Sequence, residues 1–94
     1  MTNLELALNN PATVRDETTF SETTYHIISE IGKAEGTASL LLSIKLEELK
    51  CHYYTNKAMS LGFHWREIAN TYLESAHHAF DHLMELYKQL PEVE

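Results

Sequence analysis

The sequence predicts an all-α protein of four or five helices, on three observations. Apolar residues recur at intervals of three and four, which is the period of a helix and not the alternation of a strand. Glycine, proline and hydroxyl residues stand where such helices would begin and end. A chain of 94 residues that is 44% apolar can bury one small core without disulfide or metal. We therefore expect a single helical domain, residues 19 to 94, after an N-terminal arm, residues 1 to 18.

The first elements follow from local signals. An Asn-Asn-Pro triplet ending at Pro11 favours a turn within the arm, and Leu4 to Leu8 suffices for one helical turn before it. Thr19 and Glu22 have the spacing of a capping box, in which two side chains satisfy free backbone amides at a helix start. This pattern predicts a helix that begins near Phe20.

The middle of the chain continues the helical period. The positions that carry it are Phe20, Ile27, Ile31, Ala34, Ala38, Leu41, Leu42, Leu46, Leu49 and Tyr53. Gly32 and Gly36 interrupt it, each at a cost of about 1 kcal/mol relative to alanine in a helix, and Thr37 could cap a new start. We favour two helices with a break at residues 32 to 37, the second being a central helix of residues 38 to 60. One long helix is the alternative.

Three further signals divide the C-terminal part. Leu61-Gly62 ends the central helix, because glycine accepts the left-handed geometry of a helix end. Trp65 to Tyr72 then forms a short helix. Ser75 caps a last helix that runs to about Leu90 and is stopped by Pro91.

A sequence pattern of known type covers residues 58 to 83. Its matching positions are Ala58, Gly62, Phe63, Trp65, Glu67, Ile68, Ala69, Tyr72, Ser75 and Ala79. This pattern resembles the helix-turn-helix of small bacterial and phage DNA-binding proteins. The resemblance implies that Gly62 turns the chain, that Trp65 and Ile68 fill the core and that Ala69 permits a close helix crossing. The helix-turn-helix would pack on the central helix.

The same resemblance implies a function: a small non-enzymatic regulator that binds DNA. The second helix of the motif would enter the DNA groove. The candidate DNA-binding residues are Ser75, Ala76, His77, His78, His82 and Arg66. Protonated imidazoles would strengthen such binding below about pH 6.5.

Proteins of this class usually bind paired half-sites, so we expect a homodimer. The apolar positions available for it are Tyr53, Tyr54, Leu83, Leu86 and Tyr87.

Charge supports an alternative in which the partner is a protein. The net charge is -7, and residues 1 to 44 hold two basic against six acidic side chains. The second helix of the motif has no basic residue before Lys88, although arginine and lysine make most contacts with phosphate and guanine. An acidic helical protein of this kind could be an inhibitor or antirepressor that binds a nucleic-acid-binding protein.

A third hypothesis is a ferritin-like metal site. Glu74 and His77 are three residues apart, and His78 and His82 are four apart on one helical face. Such a site would combine Glu74, His77, His78 and His82. A di-iron centre would also need Glu47 or Glu48 beside His52 from a facing helix, and hence a dimer. These spacings arise often by chance, so we expect no metal and no cofactor.

The remaining features bear on compartment and chemistry. Cys51 is the only cysteine, which excludes an intrachain disulfide and favours a reducing compartment. It has no base paired with it in a motif, so we expect no enzymatic activity. No run of eighteen apolar residues and no signal-peptide pattern occurs, so we expect a cytoplasmic protein without membrane association.

Overall fold

The computed structural model describes residues 3 to 90, with side chains from residue 5 onward. Its elements are helix α1 (Asn3–Asn9), a 3-10 turn (Pro11–Thr13), helix α2 (Glu17–Lys33), helix α3 (Gly36–Ser60), a second 3-10 turn (Phe63–Trp65) and helix α4 (Arg66–Gln89). No strand occurs in this part of the chain. The all-α prediction, with four helices and a long central helix packed against the others, is confirmed.

Helix α2 begins three residues before the predicted start. The N-cap is Asp16, whose Oδ2 accepts a hydrogen bond of 2.8 Å from the backbone amide of Thr19. A carboxylate is favourable at the positive end of the helix dipole, and it also satisfies a free amide. This hydrogen bond lowers the pKa of Asp16. The predicted capping role of Thr19 is therefore wrong, because Thr19 lies within the first turn.

The break between α2 and α3 falls within the predicted range. Helix α2 ends at Lys33, and α3 begins at Gly36 with φ +58°, a value that side chains other than glycine rarely adopt. The alternative of one long helix is wrong. At the other end, α3 stops at Ser60 as predicted, but Gly62 has φ -76° and is extended, so no left-handed cap forms there.

Helix α3 lies between α2 and α4, which scarcely touch each other. Its side towards α2 packs Leu49 and Tyr53 around Ile27. Its opposite side packs Ile44 against Leu83 and Leu86 of α4. The low residue numbers of α3 meet the high ones of α4, so the two helices are antiparallel.

The segment before α2 lies on this core. Ala7 and Val14 are buried in the cluster shared by α2 and α3. The side-chain amide of Asn56 donates hydrogen bonds to the carbonyl oxygens of Ala12 at 3.2 Å and Val14 at 3.3 Å. The predicted helical turn of the arm is present as α1, and Asn56 holds the segment to the C-terminal part of α3.

Helix α4 runs without interruption from Arg66 to Gln89, so the predicted turn at residues 73 to 75 is wrong. Ser75 lies in the third turn of the helix and does not cap it. The physical reason is that residues 70 to 80 contain neither glycine nor proline. The packed positions Ala76, Ala79, Leu83 and Leu86 keep the helical period through and beyond the predicted turn.

Two predicted core residues are at the surface. Trp65 is 57% exposed and Ile68 is 46% exposed, which contradicts their predicted place in the core. Trp65 ends the second 3-10 turn and Ile68 lies in the first turn of α4, before the residues of that helix that are buried. The end of α4 agrees with the prediction, since Leu90 is extended, as expected for a residue that precedes proline. Pro91 itself lies outside the described residues.

The fold is flat and elongated. The radius of gyration is 14.2 Å and the extents are 48 × 31 × 21 Å, whereas a compact chain of this length has a radius of gyration of about 12 Å. The three long helices form a layer, and the segment of α1 and the first 3-10 turn packs only on α2 and α3. None of the helices between residues 3 and 90 combines the length and apolar character of a membrane span.

Candidate functional site

A groove lies along one side of the contact between α3 and α4. Its volume is about 300 Å³, and it is lined by Glu47, Lys50, Tyr54, Ser75, His78, Ala79 and His82. The α4 residues that line it come from the middle of a straight helix. This groove therefore gathers three residues of the predicted DNA-binding set, Ser75, His78 and His82.

Glu47 is the buried carboxylate of this groove. It is only 5% exposed. Its Oε2 lies 3.3 Å from Nζ of Lys50, one turn along α3, and its Oε1 lies 3.4 Å from Nδ1 of His82 on α4. A buried carboxylate needs partners of this kind, because an unpaired one would be strongly destabilising. The Glu47–His82 pair therefore joins the two helices.

Cys51 lies on the same helical contact. Its thiol donates a hydrogen bond of 3.5 Å to the backbone carbonyl of Ala76. Burial raises the pKa of the thiol, and the neighbouring Glu47 and Glu48 raise it further. Since the thiolate is the nucleophilic form, this environment suppresses reactivity at neutral pH.

The predicted DNA-binding residues do not form one surface. Ala76 is buried against α3. His77 lies outside the groove, although it shares a shallow depression of α4 with His78, and its Nε2 is 3.4 Å from Oδ2 of Asp81. Arg66 stands at the start of α4, 5.5 Å above the ring of Phe63.

The alternative metal ligands are not gathered either. Between residues 3 and 90, no group of three histidine, cysteine, aspartate or glutamate side chains is arranged to hold a metal ion. Glu74, His77, His78 and His82 point around one helix, because steps of one, three and four residues do not bring four ligands to a point.

Most of the apolar residues predicted to form a homodimer surface are buried by packing within the protomer. Tyr53, Leu83 and Leu86 are buried. Tyr54 is half-buried and makes an edge contact with Tyr53, with centroids 5.6 Å apart. Only Tyr87 is exposed, at 43%. The predicted surface is wrong because four of its five members point towards other parts of the same protomer.

The structure exposes another apolar row, of which sequence reasoning had named only Tyr87. On α4 this row consists of Leu73, Phe80, Met84 and Tyr87, with His77 completing it. Four members of the row each follow directly after a packed residue of the same helix: His77, Phe80, Met84 and Tyr87. The sequence contains the pattern of this row, because its members recur at intervals of four and three residues. A second set of apolar residues with helical spacing, which packs in the core, runs parallel to it along α4.

A second exposed apolar site occupies the outer face of α2. Tyr25 is 78% exposed and Ile28 is 54% exposed, whereas the buried residues of this helix are Thr23 and Ile27. Glu22 is exposed one turn before Tyr25. This face therefore combines large apolar side chains with negative charge.

Comparison of the chain with protein-family models, curated proteins and solved structures gives no significant match.

Proposed function

We propose that the chain is a non-enzymatic regulator that acts in the cytoplasm by binding a basic, nucleic-acid-binding protein. The observation that carries this proposal is the exposure of Tyr25 and Ile28 on the outer face of α2. Buried interface anchors are commonly aromatic or large apolar side chains surrounded by polar groups. These two residues, with Glu22 beside them, have that arrangement.

Charge defines the kind of partner. Helix α2 carries the site. From its N-cap to the break before α3, residues 16 to 35 contain five acidic side chains and one basic one, which is a net charge of -4. Such a surface attracts a basic patch and repels phosphate. A nucleic-acid-binding groove is a basic patch of this kind, so the protein would act as a competitor of nucleic acid for that groove.

The geometry argues against the original DNA-binding hypothesis. That hypothesis needs a short helix, a turn and a second helix whose first residues enter a DNA groove. Here residues 66 to 89 are one helix, Ala76 faces α3, and the described part of α4 carries two basic against four acidic side chains. Phosphate contacts supply most of non-specific DNA affinity, and this helix offers few.

The test is an affinity capture from the source cell, with the full chain as bait. The variant Tyr25→Ser with Ile28→Ser removes the proposed anchors, and Met59→Ser is the matched control, since Met59 is 79% exposed on α3. We expect wild type and control to retain a basic nucleic-acid-binding protein that the α2 variant loses and that high salt releases.

Two results would contradict the proposal. One is equal capture by the α2 variant. The other is retardation of duplex DNA at low salt and pH 6 that His77→Ala with His78→Ala abolishes, which would restore the DNA-binding hypothesis. We also propose a homodimer, formed through a surface that leaves α2 open.

A further inference from the structure

We propose that α4 is the dimer interface and that it receives a second copy of itself in antiparallel orientation. The contact surface is the row of Leu73, His77, Phe80, Met84 and Tyr87, called here the α4 row. This inference rests on the homodimer of the proposed function and names its surface, which uses a different helix and a different partner from the α2 site.

The spacing of the α4 row is that of a helix-pairing seam. Its members follow one another at intervals of four, three, four and three residues. A heptad of this kind keeps one apolar line facing a partner helix. Within the protomer the line has no partner: Leu73 is 44% exposed, Phe80 50%, Met84 37% and Tyr87 43%.

The α4 row lies on the face of the layer opposite the groove. The groove residues His78 and His82 directly precede the packed residues Ala79 and Leu83. The members of the row from His77 onward directly follow packed residues, so they lie on the other side of the line of packed residues. On α3, Leu41 likewise follows the packed Leu40 and is 52% exposed. The antiparallel packing puts Leu41 near Tyr87, so it extends the apolar surface at that end.

Charged residues beside the row favour a second copy of α4 as the partner and favour one register of the pair. Glu74 lies next to Leu73, and Lys88 lies next to Tyr87. An antiparallel second copy can place Phe80 against Met84 of the other chain, and His77 against Tyr87, each twice by symmetry. Glu74 then faces Lys88 of the second copy, once at each end of the contact, and this lysine also pairs with Glu85 on its own helix at 3.4 Å. Sulfur against an aromatic ring is also a favourable contact.

Other pairings are less favourable. Sliding the second copy by one heptad so that Leu73 meets Met84 would set Glu74 against Asp81, which is repulsive. Sliding it the other way would set Asp81 against Lys88, but only Met84 and Tyr87 of the row would then meet each other within the described part of α4. A parallel pairing would stack His77 on His77 and would leave Glu74 and Lys88 without opposite charges across the seam. In the register that we propose, Asp81 approaches its own copy, which is one like-charge contact against two contacts between Glu74 and Lys88.

The size of the contact sets its strength. From Leu73 to Tyr87 the row extends about 21 Å at the rise of an α-helix. A contact this short is at the small end of specific interfaces, so we expect dissociation constants in the micromolar range. The equilibrium should therefore depend on concentration over an accessible range.

Sedimentation equilibrium of the full chain from about 5 to about 500 µM tests the proposal, since this range brackets micromolar dissociation. We expect dimers in wild type and monomers in Phe80→Glu. Tyr25→Glu, on the outer face of α2, should dimerise like wild type. Circular dichroism of each variant checks that it folds, and Met84→Gln provides a milder second probe, expected to weaken the dimer about tenfold.

A charge exchange tests the register. Glu74→Lys and Lys88→Glu should each weaken the dimer, and the double variant should recover most of the loss. A monomer throughout the range, or a dimer that Phe80→Glu and Met84→Gln leave unchanged, would overturn the interface. A dimer without recovery in the double variant would overturn the antiparallel register. The variant Tyr25→Ser with Ile28→Ser should lose capture of a basic partner and keep the dimer, so the two proposals fail separately.

Discussion

Oε1 of Glu47 on α3 lies 3.4 Å from Nδ1 of His82 on α4. The side chain of Glu47 is 7% exposed, whereas that of His82 is 60% exposed, so the contact joins a buried acceptor to a group at the surface. Lys50 supports the same carboxylate from within α3 at 3.3 Å. The buried carboxylate thus depends on one partner from each helix.

We expect His82→Ala to lower the free energy of unfolding by about 1 kcal/mol, because it removes the cross-helix partner of a buried carboxylate. His52→Ala is the control, since His52 is exposed on α3 and lies outside the α4 row. Exposed side chains of this kind contribute little to stability. Urea denaturation at neutral pH measures both. Equal losses in the two variants would contradict the structural role of the Glu47–His82 pair.

The stacked rings of Phe20 and Tyr53 should couple α2 to α3 energetically. Their centroids lie 3.9 Å apart with an interplanar angle of 8°. We expect Phe20→Ala to cost about 3 kcal/mol, and a double-mutant cycle with Tyr53→Ala to show coupling of about 0.5–1.5 kcal/mol. Tyr53→Phe keeps the ring and should change the unfolding free energy little. Additive losses would show that the rings do not interact.

Asp16 should make the stability of α2 depend on acid pH. The hydrogen bond from the amide of Thr19 holds its pKa below 3.8, the ordinary value. Its contribution is therefore fully present above that value and is lost as the pH falls through the lowered pKa.

Asparagine can cap the helix without titrating. The difference in urea midpoint between wild type and Asp16→Asn should thus be constant from pH 7 to about pH 5 and should move against wild type at lower pH. A difference that stays constant down to about pH 2 would exclude this role of Asp16.

The fold class could be predicted because the spacing of apolar residues and the positions of helix-breaking glycines are local properties of the sequence. The spacing of Ile27, Leu46 and Leu49 and the glycines at 32 and 36 fixed the helical class and the break between α2 and α3. Asp16 was missed because a capping box at Thr19 has equally good local chemistry, and only the folded chain selects between the two starts.

The candidate site was harder to predict because it depends on which face of a helix is covered. Two apolar rows run side by side along α4, and periodicity alone does not say which one packs on α3. Ser75 was predicted to be a cap from its residue type, and the resemblance supported that role. Residues 66 to 75 contain no glycine or proline, however, and so permit an unbroken helix. Once the turn is absent, Trp65 and Ile68 have no core to fill.

Cys51 should react with alkylating reagents only slowly in the folded protein. Burial raises the pKa of its thiol, and Glu47 and Glu48 add to that effect. Less of the thiol is therefore ionised at any given pH than in an unfolded chain, whose thiol has its ordinary pKa of about 8.5. The rate of iodoacetamide reaction against pH should give a midpoint above that of the protein unfolded in urea.

Glu48→Gln removes one of the two neighbouring charges and should lower the midpoint slightly, while leaving it above the unfolded value because burial is the larger cause. Glu85→Gln is the matched control, since Glu85 is paired with Lys88 at the surface of α4 and should leave the midpoint in place. Coincident profiles for folded and unfolded protein would show that the contact between Cys51 and the carbonyl of Ala76 opens readily. In that case α4 does not stay packed on α3 around these two residues.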